Sequence, residues 1–200
     1  MTDQTPKVET AVFQRNKKNQ NCCGDSYFYT VTDDEYVCAL ADGLGSGEYA
    51  RESSETVITI IQEHLQATVE QLLQKCNKQL AGKRGAVVGI LRIDFRTQQY
   101  SFSSIGNIGV LAIPEDGKKK RNIPDHGYLG SHRQSFKVLH EPMTARMNFI
   151  LFSDGVTDRD LSRRFLLNPD VHQVVQTFAH YTDERTCLDD TTLIAIRYDS

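Results

Sequence analysis

Acidic residues stand where the apolar runs of this chain begin and end. Tyr36-Val37-Cys38-Ala39-Leu40-Ala41 leads straight into Asp42-Gly43, and Phe149-Ile150-Leu151-Phe152-Ser153 leads straight into Asp154-Gly155. Asp25 opens Ser26-Tyr27-Phe28-Tyr29-Thr30-Val31, and Asp189 and Asp190 open Thr191-Thr192-Leu193-Ile194-Ala195-Ile196. Short runs rich in β-branched and aromatic residues predict strands. In an antiparallel sheet the end of one strand lies beside the start of its neighbour, so two exits and two entries can gather on one rim. Carboxylates 4 Å apart repel by about 4 kcal/mol per pair at an effective dielectric of roughly 20. Such a rim calls for a cation, and an all-oxygen donor set suits Mg²⁺ or Mn²⁺.

The elements that must position these acids follow from patterning. Residues 8–14 alternate as a first strand, and 15–21 form a polar loop. Strands over 26–31 and 36–41 make a hairpin around Thr32-Asp33-Asp34-Glu35. A four-residue loop is a common hairpin connection. If 31 pairs with 36, position 25 lies opposite 42, and Asp25 and Asp42 face each other at the hairpin's open end. Gly45-Ser46-Gly47 then enters a helix with Ser46 as its expected N-cap. Ser53, Val57, Ile60, Ile61 and Leu65 form its apolar face. Thr68 and Gln71 give a capping box for a second helix, whose buried stripe is Leu72, Leu73, Cys76 and Leu80, with Gly82 as its stop. Strands are expected over 86–95, 99–104, 108–113, 118–123, 134–140 and 147–153. Asn168-Pro169 is expected to start a third helix carrying Val171, Val174, Val175 and Phe178. A last strand covers 191–198. This order predicts an α+β sandwich of antiparallel sheets with helices outside.

Several chemistries are unsupported. Asp42-Gly43-Leu44-Gly45-Ser46-Gly47 lacks the third glycine of a dinucleotide loop, because Glu48 takes that place, and it has no Gly-Lys-Ser/Thr. Its glycines either bring the backbone close to a metal, with the Gly43 carbonyl as an extra oxygen ligand, or make a tight strand–helix turn. Asp158 either reaches the Asp154 region through water or caps a helix. The six histidines show no metal-ligand spacing, and no Gly-x-Ser-x-Gly elbow is present. Five cysteines without a CxxC pair argue against a zinc site or a disulfide framework. Cys22 and Cys23 flank Asp25 and are read as packing residues.

With 200 residues, the chain is expected to form a single domain, 1–200 with a core of about 8–198. Its 39% apolar and 24% charged content is that of a globular protein, and a net charge of −3 argues against bulk nucleic-acid binding. The basic run Lys118-Lys119-Lys120-Arg121 is read as a solvated hairpin, and Asp125 to Gly130 as a turn. No apolar stretch approaches the ~18 residues of a membrane span, and residues 1–10 lack a signal-peptide core. A cytoplasmic, monomeric protein with no membrane partner is therefore expected.

In order along the chain, Gly24-Asp25-Ser26, Ala41-Asp42-Gly43-Leu44-Gly45-Ser46-Gly47, Ser153-Asp154-Gly155 and Asp189-Asp190-x-Thr192 resemble the motifs of PPM/PP2C-type serine/threonine phosphatases. The resemblance spans about 8–198. It implies a four-layer αββα sandwich with two Mn²⁺ or Mg²⁺ ions at one end of the sheets. Asp42 would bridge both ions and the Gly43 carbonyl would complete one. Asp154 and Asp189 would hold the other, and Asp25 would act on the first directly or through water, with Asp190 as a further candidate. The implied reaction is direct hydrolysis of phosphoserine or phosphothreonine by activated water, in which Asp42, Asp154 and Asp189 act through the ions. The short form is most similar to stressosome phosphoserine phosphatases that restrain the sigma-B general stress response, and implies phosphorylated STAS-domain proteins as partners. A phosphatase of an anti-sigma-factor antagonist and a non-catalytic binding module are the alternatives. Three positions depart from the family pattern. Leu44 replaces a histidine proposed as general acid, Asn21 replaces a phosphate-binding arginine, and Asn107 replaces an aspartate that serves a third metal. A weak or absent third metal is expected, and Arg15, Lys17 and Lys18 are the candidate phosphate cations.

Overall fold

The protein is described here by a computed structural model covering residues 7–18, 20–132, 135–183 and 188–200. Two five-stranded antiparallel sheets form its centre. The first contains β1 (Lys7–Arg15), β6 (Gly109–Pro114), β7 (Lys120–Arg121), β9 (Arg146–Phe152) and β10 (Thr191–Asp199), in the order β1-β10-β9-β6-β7. The second contains β2 (Asp25–Val31), β3 (Glu35–Gly43), β4 (Ala86–Asp94), β5 (Gln99–Ile105) and β8 (Leu139–Pro142), in the order β2-β3-β4-β5-β8. Helices α1 (Glu48–Glu63) and α2 (Val69–Gln79) cover the second sheet, and α4 (Val171–Asp183) covers the first. A single turn, α3 (Asp158–Leu161), and a 3-10 turn at Arg164–Leu167 precede α4.

Side-chain alternation explains the layering. On β3, Tyr36, Cys38 and Leu40 face the other sheet, where they meet Phe149, Leu151, Ile194, Ile196 and Tyr198. Ala39 and Ala41, on the opposite face, pack against Val57, Ile61, Leu72 and Leu73 of α1 and α2. On β10, even-numbered residues face the inter-sheet core, whereas Leu193 and Ala195 meet Val174 and Phe178 of α4. Strands covered on both faces read as continuous apolar runs, which is why β3, β9 and β10 stood out in the sequence. The edge strand β2 instead alternates, leaving Tyr27, Tyr29 and Val31 exposed.

The hairpin register is the expected one, with Val31 opposite Tyr36 and Asp25 opposite Asp42. The Thr68–Gln71 capping box is present, and Leu72, Leu73, Cys76 and Leu80 are buried. Four boundaries differ. The N-cap of α1 is Gly47, at φ 69°, rather than Ser46, and no side chain caps the helix. The third major helix starts at Val171 rather than at Pro169, because Asp170 accepts from His172 N–H and Gln173 N–H and so takes the capping role. The expected strand at 118–123 contracts to Lys120–Arg121, since Lys119 turns inward to donate to the Leu161 and Arg163 carbonyls. The strand expected at 134–140 falls instead at Leu139–Pro142; Gln134 itself lies outside the described residues.

One close approach positions α1. A Cβ on Gly43 would lie 1.8 Å from the Ala50 carbonyl oxygen, so the start of the helix rests directly on the strand backbone. Backbone against backbone has no rotamer with which to yield. Gly43→Ala is therefore expected to destabilise the fold by about 3 kcal/mol or more, read from urea unfolding monitored by circular dichroism; a loss under about 1 kcal/mol would contradict this packing.

Candidate metal centre

The strand-end acids converge where the two sheets meet. Asp42 continues the parity of Tyr36, Cys38 and Leu40, so its side chain belongs to the seam between the sheets, and its register partner Asp25 shares that face. Thr192 has the parity of Ile194 and Ile196 on β10 and reaches the same seam from the opposite sheet. Its hydroxyl donates to Asp25 Oδ2 at 2.6 Å, joining the two sheets at the rim. Gln14 Nε2 donates both to the Asp25 carbonyl and to Thr192 Oγ1, each at 3.2 Å. Thr192 N–H in turn donates to Ser153 Oγ at 2.9 Å, which ties the exit of β9 to the entry of β10.

These contacts hold Asp25 with one oxygen satisfied and one not. The residue is 4% exposed, and its Oδ1 is buried without a hydrogen-bond partner. An unpartnered buried carboxylate oxygen is costly, and a divalent ion is the natural partner for it. Burial pushes the Asp25 carboxyl up to about 6, with the charges of Asp190 and Asp154 adding to the rise and hydrogen bonds from Thr192 and Ser153 opposing it. Asp42 is pushed up to about 8, first by burial and then by the charges of Asp25, Asp154, Asp189 and Asp190. Asp154 is also raised, by burial and then by Asp189, against a 2.6 Å hydrogen bond donated by Asn107 Nδ2 to its Oδ2. Mutual repulsion thus links Asp25, Asp42, Asp154, Asp189 and Asp190 into one acidic centre.

Not all of the expected ligands are available in the same way. Both oxygens of Asp190 are occupied, Oδ1 by Lys17 N–H and Oδ2 by Gly24 N–H, each at 2.8 Å. Asp190 therefore ties the 17–24 segment against β10 and fixes Asp25, and its backbone N–H also bonds Asp189 Oδ1 at 3.0 Å. Asp158 lies at the start of α3, exposed, in an ion pair with Arg121 at 2.6 Å; the helix cap there is Thr157. Gly43 sits at the end of β3 beside Asp42, opposite Ala86. Asn107 reaches the centre through Asp154. Thr192, Ser153 and Gln14 carry no charge and escaped notice as positioning groups. Strand parity was the signal that could have found Thr192.

Among the described residues no three His, Cys, Asp or Glu side chains already form a cage around one point. Mg²⁺ keeps several waters and is held through only one or two carboxylates. The oxygen-only donor set, the orphaned Asp25 Oδ1 and the raised Asp42 fit an ion of that kind. Asp25, Asp42, Asp154 and Asp189 are the side chains that would share such ions, with one or two carboxylates on each.

The family described as Stage II sporulation protein E (SpoIIE) matches residues 32–199. Phosphoserine phosphatase RsbX of Bacillus subtilis (strain 168) is 32% identical over 192 residues, covering 96% of each chain. The chain belongs to the SpoIIE family of PP2C-type phosphatases. A crystal structure of RsbX in complex with magnesium superposes with a TM-score of 0.88 at 31% identity, covering 96% of both chains. The catalytic domain of the serine/threonine phosphatase PstP in complex with two manganese ions has the same fold, with a TM-score of 0.76 at 17% identity over 98% of this chain and all (100%) of that one. The αββα arrangement is therefore the PP2C fold, and the acidic seam lies in a PPM-family enzyme.

Stability of the metal-free protein should report the repulsion. Carboxyls raised to about 6 and about 8 bind protons in the folded state that an unfolded chain releases near pH 4. The folded state therefore binds more protons across that window, and its stability falls as pH rises from about 4 to about 8. Thermal melts in EDTA should show this decline, Asp42→Asn should flatten it and raise the melting temperature at pH 8, and Mg²⁺ should stabilise the wild type but not the variant. A metal-free melting temperature that rises steadily from pH 5 to 8 would contradict this electrostatic picture.

Proposed function

We propose that this enzyme is a Mg²⁺- or Mn²⁺-dependent phosphoserine phosphatase acting on phosphorylated STAS-domain proteins of a stressosome, and that it restrains the sigma-B stress response from the cytoplasm. Asp25 carries the proposal: it is buried, opposed to Asp42 across a hairpin, and keeps one oxygen unpartnered. Likeness to RsbX over nearly the whole chain supports the substrate class, and the bound magnesium of that relative supports the cofactor. Two ions and a weakly held or absent third are the proposed complement, since Asn107 offers a neutral oxygen where a charged one would bind more tightly. Among the described residues no helix is long and apolar enough to cross a membrane.

When bound, divalent ions supply charge for the phosphoryl oxygens and an activated water for direct attack on phosphorus. The chain's own part is positioning. Thr192 holds Asp25 through Oδ2 and leaves Oδ1 unpartnered, and Asp190 anchors the backbone that precedes it through Gly24 and Lys17. Asn107 restrains Asp154, and Ser153 holds the entry of β10 beside the exit of β9. The Thr192–Asp25 bond spans the two sheets, and the other supports fix the strand ends and loops around it, so the acids are preorganised before substrate arrives, which is the condition for electrostatic catalysis.

Phosphate release from a phosphorylated STAS-domain protein is expected with Mn²⁺ or Mg²⁺ and not with EDTA. Asp42→Asn should lower kcat by about 10²–10³-fold or more, and Thr192→Val should lower it less, by about tenfold. Turnover in EDTA, or an Asp42→Asn protein as active as wild type, would refute the proposal.

A further inference from the structure

Past Asp42 the pairing of β3 with β4 continues by one more step. Asp42 lies opposite Val87 and Gly43 opposite Ala86, and Leu44 N–H then donates to the Gly85 carbonyl at 2.9 Å, which sets Leu44 opposite Gly85. Alternation gives Leu44 the parity of Leu40 and Asp42, and Gly85 that of Val87 and Leu91, so both belong to the face that looks into the seam between the sheets. Leu40 is buried there, but Leu44 is 37% exposed.

Gly85 has no side chain to fill its place, and the ring of Tyr128 takes it. A Cβ on Gly85 would lie 2.4 Å from Tyr128 Cδ2 and 2.6 Å from the Leu129 carbonyl oxygen. The loop that carries this ring is laced to the sheet. Asp125 N–H donates to the Ser104 carbonyl, Gly106 N–H to the Asp125 carbonyl and Leu129 N–H to the Ala86 carbonyl, each at 2.8 Å. Residues 125–129 therefore cross the ends of β5 and β4. The crossing starts beside Gly106, whose neighbour Asn107 bonds Asp154, and it finishes beside the partner of Leu44. Tyr128 keeps 44% of its surface exposed. Directly opposed cross-strand positions place side chains about 5 Å apart. Leu44 and the Tyr128 ring thus stand side by side, two positions out from Asp42, or about 7 Å along the strand.

We infer that Leu44 and Tyr128 form an apolar ledge that selects the phosphoprotein segment by taking an apolar side chain two residues from the phosphoserine. An extended peptide turns side chains i and i+2 to the same face at a spacing of about 7 Å, which matches the step from Asp42 to the ledge. A phosphoserine directed at the acidic centre would bring that neighbour onto Leu44 and Tyr128, while the residue between them points away. Tyrosine suits the contact, since its ring offers a large apolar face and its hydroxyl tolerates water. A leucine transfers no proton, so its contribution at this position is surface. The inference rests on the phosphatase reading above and adds a sequence preference to it.

The test uses phosphoserine peptides of Gly and Ser with a single Leu at −2, −1, +1 or +2, and a parent without Leu. Wild type, Leu44→Ser and Tyr128→Ala, all loaded with Mg²⁺, are compared by phosphate release for kcat/KM and by fluorescence anisotropy for binding. In the wild type, Leu at −2 or +2 should raise kcat/KM over the parent by about tenfold, the effect of burying much of one apolar side chain, and should do so through KM. Leu at −1 or +1 should change it by less than about twofold, because those side chains face away. Either variant should cut the preference to about threefold or less. The preference is a ratio within one protein, so a general loss of activity does not imitate it. Equal kcat/KM for all five peptides in the wild type, a preference for −1 or +1, or a preference undiminished in both variants would overturn the ledge. If no peptide is hydrolysed, the phosphatase reading fails and binding decides the ledge: tighter binding with Leu at −2 or +2, lost in the variants, supports it, and equal binding overturns it.

Discussion

Two aspartates forced to face each other across a hairpin set the terms for everything around them. Asp25 and Asp42 are register partners at the end of a ladder whose interior is apolar, so neither can turn away without breaking that ladder. Like charges in such a place lower stability unless they are protonated or bridged by a cation. The structure opposes this cost locally, with Thr192 on one oxygen of Asp25, and globally, with three apolar layers that hold the strands in place. The acid pair is thus a strain that a bound cation would relieve.

Layering explains why the centre lies where it does. Strands β3 and β10 are covered on both faces, so the only positions on them that can host charge without burying it are their ends. Both ends fall at the same edge of the sandwich because exits and entries alternate in antiparallel sheets. Alternation then decides which side chains point into the seam. Even positions on β3 and β10 do so, and this selects Asp42 from one sheet and Thr192 and Asp190 from the other.

Much of this could be read directly from the residues. The facing of Asp25 and Asp42 followed from one loop length, and an α+β sandwich with helices outside followed from the order of elements, because both depend on local patterning; the four-layer αββα form followed from the family resemblance. What could not be read depended on distant partners. Ser46 has good capping chemistry, yet Gly47 takes the position because α1 must lie on the Gly43 backbone. Asp190 looked like a ligand beside Asp189, but two N–H groups from the 17–24 segment claim its oxygens. Asp158 sits close to Asp154 in sequence, yet a partner on β7 holds it at the surface. For Asp190 and Asp158 a contact between residues far apart in the chain overrode the local signal.

Strand β10 lies between β1 and β9, not at the margin of its sheet, and it brings Thr192, with Asp190 just before it. On a ribosome, the earlier strands emerge with an open slot between them and with Asp25 lacking its hydroxyl donor. Pairing of β10 with β1 and β9 closes the sheet and brings the Thr192 hydroxyl to Asp25. A polypeptide without that strand lacks Asp189, Asp190 and Thr192 together with the neighbour on which β1 and β9 both pair.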